Sequence, residues 1–292
     1  LAALNRVLQL NGVSGWEMVD GTRAIYRADP NMATPYSQRA SFAVEHLLAR
    51  DLTATASYLF VRGSKLARTR NIGFGGPEDI FQLENSAAST YNGATFALNR
   101  RMSDELEFSA SYTLSKTYDN ASDYNEQPQN PFNLAPEWAV SRQHQQQRFT
   151  FNALWELPIG DEEAGKPPSD NWVTKVFGHI ELAPIVSAES GRPVDPLTGA
   201  DTFGTHAYPL SARPLGFGRD SARTPMLANI DFRALKYFPF GKTAKLDVVA
   251  EAFNLLNHPN VAAVNPVFGA DFLQAIAGVG ARRVQFSLDF EF

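Results

Sequence analysis

The feature that most restricts the fold of this chain is an alternation of apolar and polar residues that runs on unusually far. In the closing stretch RRVQFSLDFEF, Val284, Phe286, Leu288, Phe290 and Phe292 are apolar, while Arg283, Gln285, Ser287, Asp289 and Glu291 are polar. RFTFNALWEL sets Phe149, Phe151, Ala153, Trp155 and Leu157 against Arg148, Thr150, Asn152 and Glu156. LEFSASYTLS sets Leu106, Phe108, Ala110, Tyr112 and Leu114 against Glu107, Ser109, Ser111, Thr113 and Ser115. A period of two sustained in this way describes a strand with one apolar face.

On this basis nine strands are expected, over 39–49, 52–62, 90–101, 104–118, 145–157, 173–187, 227–238, 243–256 and 282–292. Globular strands usually run about five or six residues, whereas a tilted strand crossing a bilayer needs about nine to eleven. Most of the nine are of the second kind. Their connections alternate in length. After the first, third, fifth and seventh strands come Arg50-Asp51, Met102-Ser103, PIGDEEAGKPPSDNW and PFGK; after the others come 63–89, 119–144, 188–226 and 257–281. Tight turns at one end and long loops at the other are the asymmetry of a transmembrane barrel, with the long loops outside the cell and Phe292 on the periplasmic side.

The predicted fold is therefore all-β: an antiparallel transmembrane β-barrel. Bacterial single-chain barrels have an even number of strands. Nine strands with this polarity imply an incomplete barrel, about nine or ten C-terminal strands of a larger one. Residues 1–38 are then expected to be the remnant of an external loop, in which TRAIYRADP forms a short extension, and 39–292 the C-terminal part of the barrel. Leu1 to Leu10 is the one helical-looking stretch. The start LAALNRVLQLNG has neither the basic beginning nor the small-residue cleavage pattern of a signal peptide, and the chain reads as the middle of something longer.

Composition narrows the chemistry. The chain has no cysteine, which removes disulfides, thiolate metal sites and cysteine nucleophiles. Its net charge of -5 argues against a nucleic-acid partner. No apolar run reaches the roughly 18 residues of a membrane-spanning helix. His46, His144, His179, His206 and His258 are scattered, without the spacing of a zinc site, and there is no nucleophile elbow or phosphate loop. No catalytic residues, metal or cofactor are expected, and the chain is not read as an enzyme. GFGG at 73–76 and GFGRD at 216–220 read as turns within loops.

Several phrases, taken in order, resemble the C-terminal barrel half of Oar-like TonB-dependent outer-membrane receptors. They are STYNGATFALNRRMSDELEFSASYTLSKTYDN, RQHQQQRFTFNALWELPIG, SGRPVDP, RPLGFGRDSARTPMLANIDFRALKYFPFG, EAFNLLNHPN and RRVQFSLDFEF, and the resemblance spans about residues 30–292. It implies a 22-stranded barrel whose lumen holds a plug domain. The plug, the TonB-binding box and a carboxypeptidase-regulatory-like domain would lie in an N-terminal part outside this sequence. The implied function is the barrel wall of a receptor for uptake or export of a large solute. Expected partners are outer-membrane lipid, the barrel-assembly machinery, and the plug domain and TonB through that N-terminal part. A small self-contained outer-membrane pore or adhesin barrel, and a secreted β-rich binding module, are the alternatives.

Four groups of residues stand out on these readings. Val284, Phe286, Leu288, Phe290 and Phe292 resemble the terminal signal read by barrel-assembly machinery. Tyr118, Asp119, Asp123, Tyr124 and Glu126, in TYDNASDYNEQPQN, are candidate external ligand residues that can offer oxygens to calcium or stacking to a sugar-like ligand, although a solvated loop is the stronger reading. Glu107, Arg148, Asn152 and Glu156 are expected to face the lumen and contact a plug, and Lys245, Asp247 and Glu251 share that face, where Val249 and Phe253 break the pattern. Arg213, Arg219 and Arg223 can meet an anionic ligand, but three arginines so close in a loop are common.

Overall fold

The computed structural model describes residues 23–103, 105–159, 172–207, 211–240 and 244–292. Its strands are β1 (Arg23–Ala28), β2 (Tyr36–Ala49), β3 (Leu52–Gly73), β4 (Glu78–Ser103), β5 (Leu106–Asp119), β6 (Ala139–Val140), β7 (Gln147–Glu156), β8 (Ile180–Glu189), β9 (Pro193–Val194), β10 (Ala222–Arg223), β11 (Leu227–Phe240), β12 (Ala244–Phe253), β13 (Val261–Val264), β14 (Ala275–Gly278) and β15 (Arg283–Glu291). A single turn of 3-10 helix spans Ala135–Glu137, and a short helix, α1, spans Trp172–Phe177.

The main sheet runs along the path β15-β12-β11-β8-β7-β5-β4-β3-β2, every neighbouring pair antiparallel. Register brings the alternating residues of all these strands into common rows. One row reads Leu106, Trp155, Leu182, Ala234, Ala250, Phe286 across six strands. A row of opposite parity reads Thr55, Ala97, Ser111, Thr150, Ser187, Asn229. A slip of one residue at any seam would mix these faces, so the alternation itself specifies the pairing. On the polar face hydroxyls bridge the strands, with Ser111 and Thr150 at 2.8 Å and Thr95 and Thr113 at 2.8 Å.

The apolar face is bare. Phe42 is 68% exposed, Phe96 58%, Leu288 70% and Phe292 96%. Among the described residues, buried polar residues outnumber buried apolar ones, which are Phe81, Ala87, Ala207, Ala212, Val249 and Val264. A water-soluble sheet buries its apolar face first; here that face is left for a non-aqueous surrounding. The sheet is also open. With nine strands antiparallel in sequence, β2 and β15 run in the same direction, so the edges would meet only as a parallel seam.

All nine predicted strands are present, with two corrections. Segment 63–89 is largely not a loop: β3 and β4 continue through it as a paired hairpin, with Arg68 opposite Glu84 and Asn71 opposite Phe81. Residue alternation weakens there because the limbs leave the apolar zone, and register shifts interrupt the ladder near Lys65, whose φ is 55°. Within 173–187, Trp172–Phe177 is helical and the strand begins only at Ile180. The irregular position Val249 is buried at 3% exposure. TRAIYRADP does supply a strand, β1, which lies parallel against the β4 extension with Tyr26 stacked on Phe81 at 5.1 Å. It therefore adds nothing to either edge of the wall. Residues 1–10 and 160–171 lie outside the described residues.

Candidate functional site

The long connections leave the sheet at one end and pack into a polar mantle held by guanidinium groups. Arg219, from 190–226, donates to both oxygens of Glu126, Nε to Oε1 at 2.7 Å and Nη2 to Oε2 at 3.0 Å. Its Nη1 reaches Oδ1 of Asp119 at 2.7 Å, and its Nη2 reaches Oγ of Ser122 at 3.0 Å. Arg213 forks onto Glu137, with 3.0 Å and 2.6 Å bonds. Such bidentate pairs combine charge with fixed geometry, which a lysine cannot reproduce.

The β3–β4 hairpin joins the same structure. Arg68 donates to the carbonyls of Asn120 and Glu126 at 3.1 and 3.3 Å, and Arg70 forks onto Glu84 at 2.9 and 2.7 Å. Asn71 Nδ2 donates to the carbonyl of Thr205 at 2.9 Å, and His206 Nδ1 lies 2.9 Å from Asp79 Oδ1. Three segments far apart in sequence are thus locked together through side chains taken out of water.

Local turn chemistry shapes each loop before they meet. Asn120 imitates a strand neighbour for β4, accepting from the amide of Ala88 at 2.8 Å and donating to the carbonyl of Ser86 at 3.0 Å. In NLLNHPN, Asn254 and Asn257 take positive φ, 51° and 52°, which asparagine tolerates better than most residues. Asn260 pairs both ways with Ala228, at 2.9 and 2.8 Å. Gly191 is needed for close approach, since a Cβ there would fall 1.7 Å from the carbonyl oxygen of Thr224, where β9 and β10 are clipped together.

Burial dominates the titration of two carboxyls in this cluster. Burial, opposed by Arg213, pushes the Asp195 carboxyl up to about 6. Burial, opposed by Arg219, pushes that of Asp220 up to about 7. The backbone amide of Asp220 donates to Asp195 Oδ1 at 3.3 Å, and the charge of Asp195 adds to the upward push on the Asp220 carboxyl. His144, 2% exposed, is held below the usual imidazole range by burial and then by the charges of Arg223 and Lys116.

The sequence-derived candidates divide. Asp119 and Glu126 have their carboxylates engaged by Arg219, while Tyr118 stacks on Trp138 at 6.4 Å. Tyr124 is exposed, and Asp123 Oδ1 accepts from the amide of Asn125 at 3.2 Å. The reading of Arg213 and Arg219 as greeting an anion is corrected: both are buried in ion pairs, and of the three only Arg223 is exposed. Glu107, Arg148, Asn152 and Glu156 all stand on the polar face, where Arg148 Nε lies 3.2 Å from Glu189 Oε1. Lys245 bridges Asp247 at 3.4 Å and Glu291 at 3.2 Å on the same face. At the short-turn end Phe290 stacks on Phe292 at 6.0 Å and meets Phe240 at 6.4 Å. The pairing of Arg219 with Glu126 escapes sequence reading. Its only trace is an excess of charge in loops that would be solvated if they did not pack.

This fold is shared with proteins of known structure. The family described as outer membrane beta barrel domain matches residues 17–216 and 203–285. The outer membrane transporter YddB from Escherichia coli superposes with a TM-score of 0.55 at 12% identity, over 94% of this chain and 34% of that one. The FrpB iron transporter from Neisseria meningitidis gives 0.53 at 11% identity, over 92% and 33%. The ferric-catecholate import receptor Fiu from Escherichia coli gives 0.51 at 12%, over 88% and 27%. The chain thus spans about a third or less of the length of these structures. No curated protein matches it in sequence.

Proposed function

We propose that this chain, which belongs to the outer membrane beta barrel domain family, builds part of the wall of a TonB-dependent receptor that moves a large solute across the outer membrane. The observation that carries the reading is the nine-strand antiparallel sheet, apolar on one face and polar on the other, with its long connections gathered at one end. That sheet overlies about a third of transporters whose chains are far longer. In this reading the apolar face meets lipid and the polar face lines the lumen. Residues 39–292 form wall and 1–38 belong to an external loop. Glu107, Arg148, Asn152 and Glu156 meet a plug, and TonB acts through that plug. The barrel-assembly machinery reads the terminal strand ending at Phe292. No catalytic role is assigned.

A self-contained small pore is disfavoured by the direction of the edges. Strands β2 and β15 run the same way, so antiparallel closure needs an odd number of further strands. Two copies of the same nine strands would still leave parallel seams.

These 292 residues contain no cysteine, so an introduced thiol is the only one in this segment of wall. In cells, single substitutions Asn152→Cys and Phe151→Cys would be probed with a membrane-impermeant maleimide. A plug-gated receptor labels at position 152 faster when the inner membrane is energised, and position 151 stays unlabelled in lipid. Labelling at 152 that is fast and indifferent to energisation would mean a passive pore. Labelling at both positions would refute the membrane wall itself.

A further inference from the structure

The apolar face ends abruptly toward the long-loop end, and the polar rows beyond its margin include two cations, Lys116 and Arg62. Along β5 the outward residues run Ala110, Tyr112, Leu114 and then Lys116. Register sets Lys116 beside Asn92, and Asn92 beside Phe60. One row further out, Arg62 stands beside Thr90, and Thr90 beside Tyr118. Above them a cleft of about 500 Å³ opens, lined among others by Tyr58, Asn92, Lys116, Tyr118, His144 and Arg223.

No carboxylate lines that cleft. Among the described residues none forms an ion pair with Arg62, Lys116 or Arg223. Lys116 Nζ sits 5.0 Å over the ring of Tyr118, and Arg223 Nη1 donates to the carbonyl of Gly191 at 3.3 Å. Both side chains keep donors to spare, and both are exposed. Tyr58 donates to Asn92 Oδ1 at 2.7 Å, which orients the amide at the cleft's apolar edge. This contrasts with the mantle a few residues away, where Arg213 and Arg219 are fully committed to carboxylates.

We infer that this cleft binds the phosphate of a lipid headgroup in the outward-facing leaflet, with the lipid's chains lying on the bare apolar face directly below. The inference rests on the membrane reading above, since the occupant is chosen by the continuity of cleft and lipid-facing surface. Charge complementarity does the rest: unpaired cations at the edge of an apolar belt attract anionic headgroups. Tyr58 and Tyr118 supply the amphipathic rings found at such a boundary.

The test is retention of lipid by the protein extracted from its own outer membrane in mild detergent. Lipid phosphorus per protein would be measured and the retained species identified by mass spectrometry. In the Lys116→Gln/Arg223→Gln variant retention should fall, by about fivefold for each cation removed. Lys116→Arg with Arg223→Lys should keep it. Should the double variant fail to assemble, Lys116→Gln alone carries the test with a single fivefold loss. Unchanged retention in the variants overturns the proposal. So does displacement of the lipid by low-millimolar inorganic phosphate, which would mark a site for free anions. A protein absent from the outer-membrane fraction would refute the membrane reading instead, a result distinguishable from both.

Discussion

Arg219 and Glu126 are 93 residues apart in sequence, yet they face each other through two near-parallel hydrogen bonds of 2.7 and 3.0 Å, with the arginine side chain wholly buried. That pair joins two connections that Arg213 and Glu137 also tie together. Breaking one partner of a buried pair leaves the other charge without compensation, at a cost of about 3–5 kcal/mol. Arg219→Ala should therefore release the mantle. Lysine at this position should recover little, because it lacks the planar fork. Limited proteolysis of the folded protein would detect new cuts within 120–146 and 190–226. A cleavage pattern like that of the unaltered protein would show that the pair is dispensable.

The same mantle should loosen as pH rises. The carboxyls of Asp195 and Asp220 are pushed up to about 6 and about 7, mainly by burial. In the unfolded chain an aspartate titrates near 3.9. Between roughly pH 4 and pH 7 the folded mantle holds protons that the unfolded chain has released, so stability declines across that window and the penalty is complete above it. Amide exchange in 195–220, corrected for the intrinsic rate, should be slower at pH 5.5 than at pH 8. Asp220→Asn should flatten most of that difference, and an unflattened profile would place the effect elsewhere.

The two faces of β15 make opposite predictions for one substitution. Leu288 is on the apolar face, in register with Val248, and Ser287 is on the polar face beside Val249. An arginine on the lipid face near the bilayer midplane costs about 2–4 kcal/mol, whereas a lumen position tolerates charge. Leu288→Arg should lower urea stability in lipid by that order, and Ser287→Arg should stay within about 0.5 kcal/mol. Equal effects would mean that both faces see the same medium.

Phe292 lies at the tip of that strand, 96% exposed, in the aromatic group with Phe290 and Phe240. Its deletion removes no contact from the mantle. Outer-membrane yield should drop severalfold, while protein that does insert should show the unaltered loop protection. An undiminished yield would contradict its role as an assembly signal.

Strand identity was legible where the chain is most regular. In RFTFNALWEL and RRVQFSLDFEF every second residue announces the face it occupies. The β3–β4 extension was hidden because, beyond the apolar zone, both faces of a strand are polar and period two disappears. α1 was hidden for a different reason: VTKVF mixes β-branched and aromatic residues that suit a strand, and the carbonyls of Val176 and Gly178 at its end accept from the distant Lys236 Nζ. The candidate ligand loop mixes two kinds of residue. Asp123 and Tyr124 point outward, whereas Asp119 and Glu126 are bound by an arginine that local sequence gave no means of pairing with them.

The number of long strands, the face of each and the end at which the long connections lie were all written in the order of residues. Those properties come from the pleat of the backbone and from the lengths between apolar runs, which are local. Packing in three dimensions was needed to gather the loops into a buried ionic mantle, and to take up Arg219 while leaving Arg223 available. Neither outcome is local. A guanidinium joins whichever carboxylate the folded connections bring within reach, and that partner is fixed by packing over nearly a hundred residues of intervening chain.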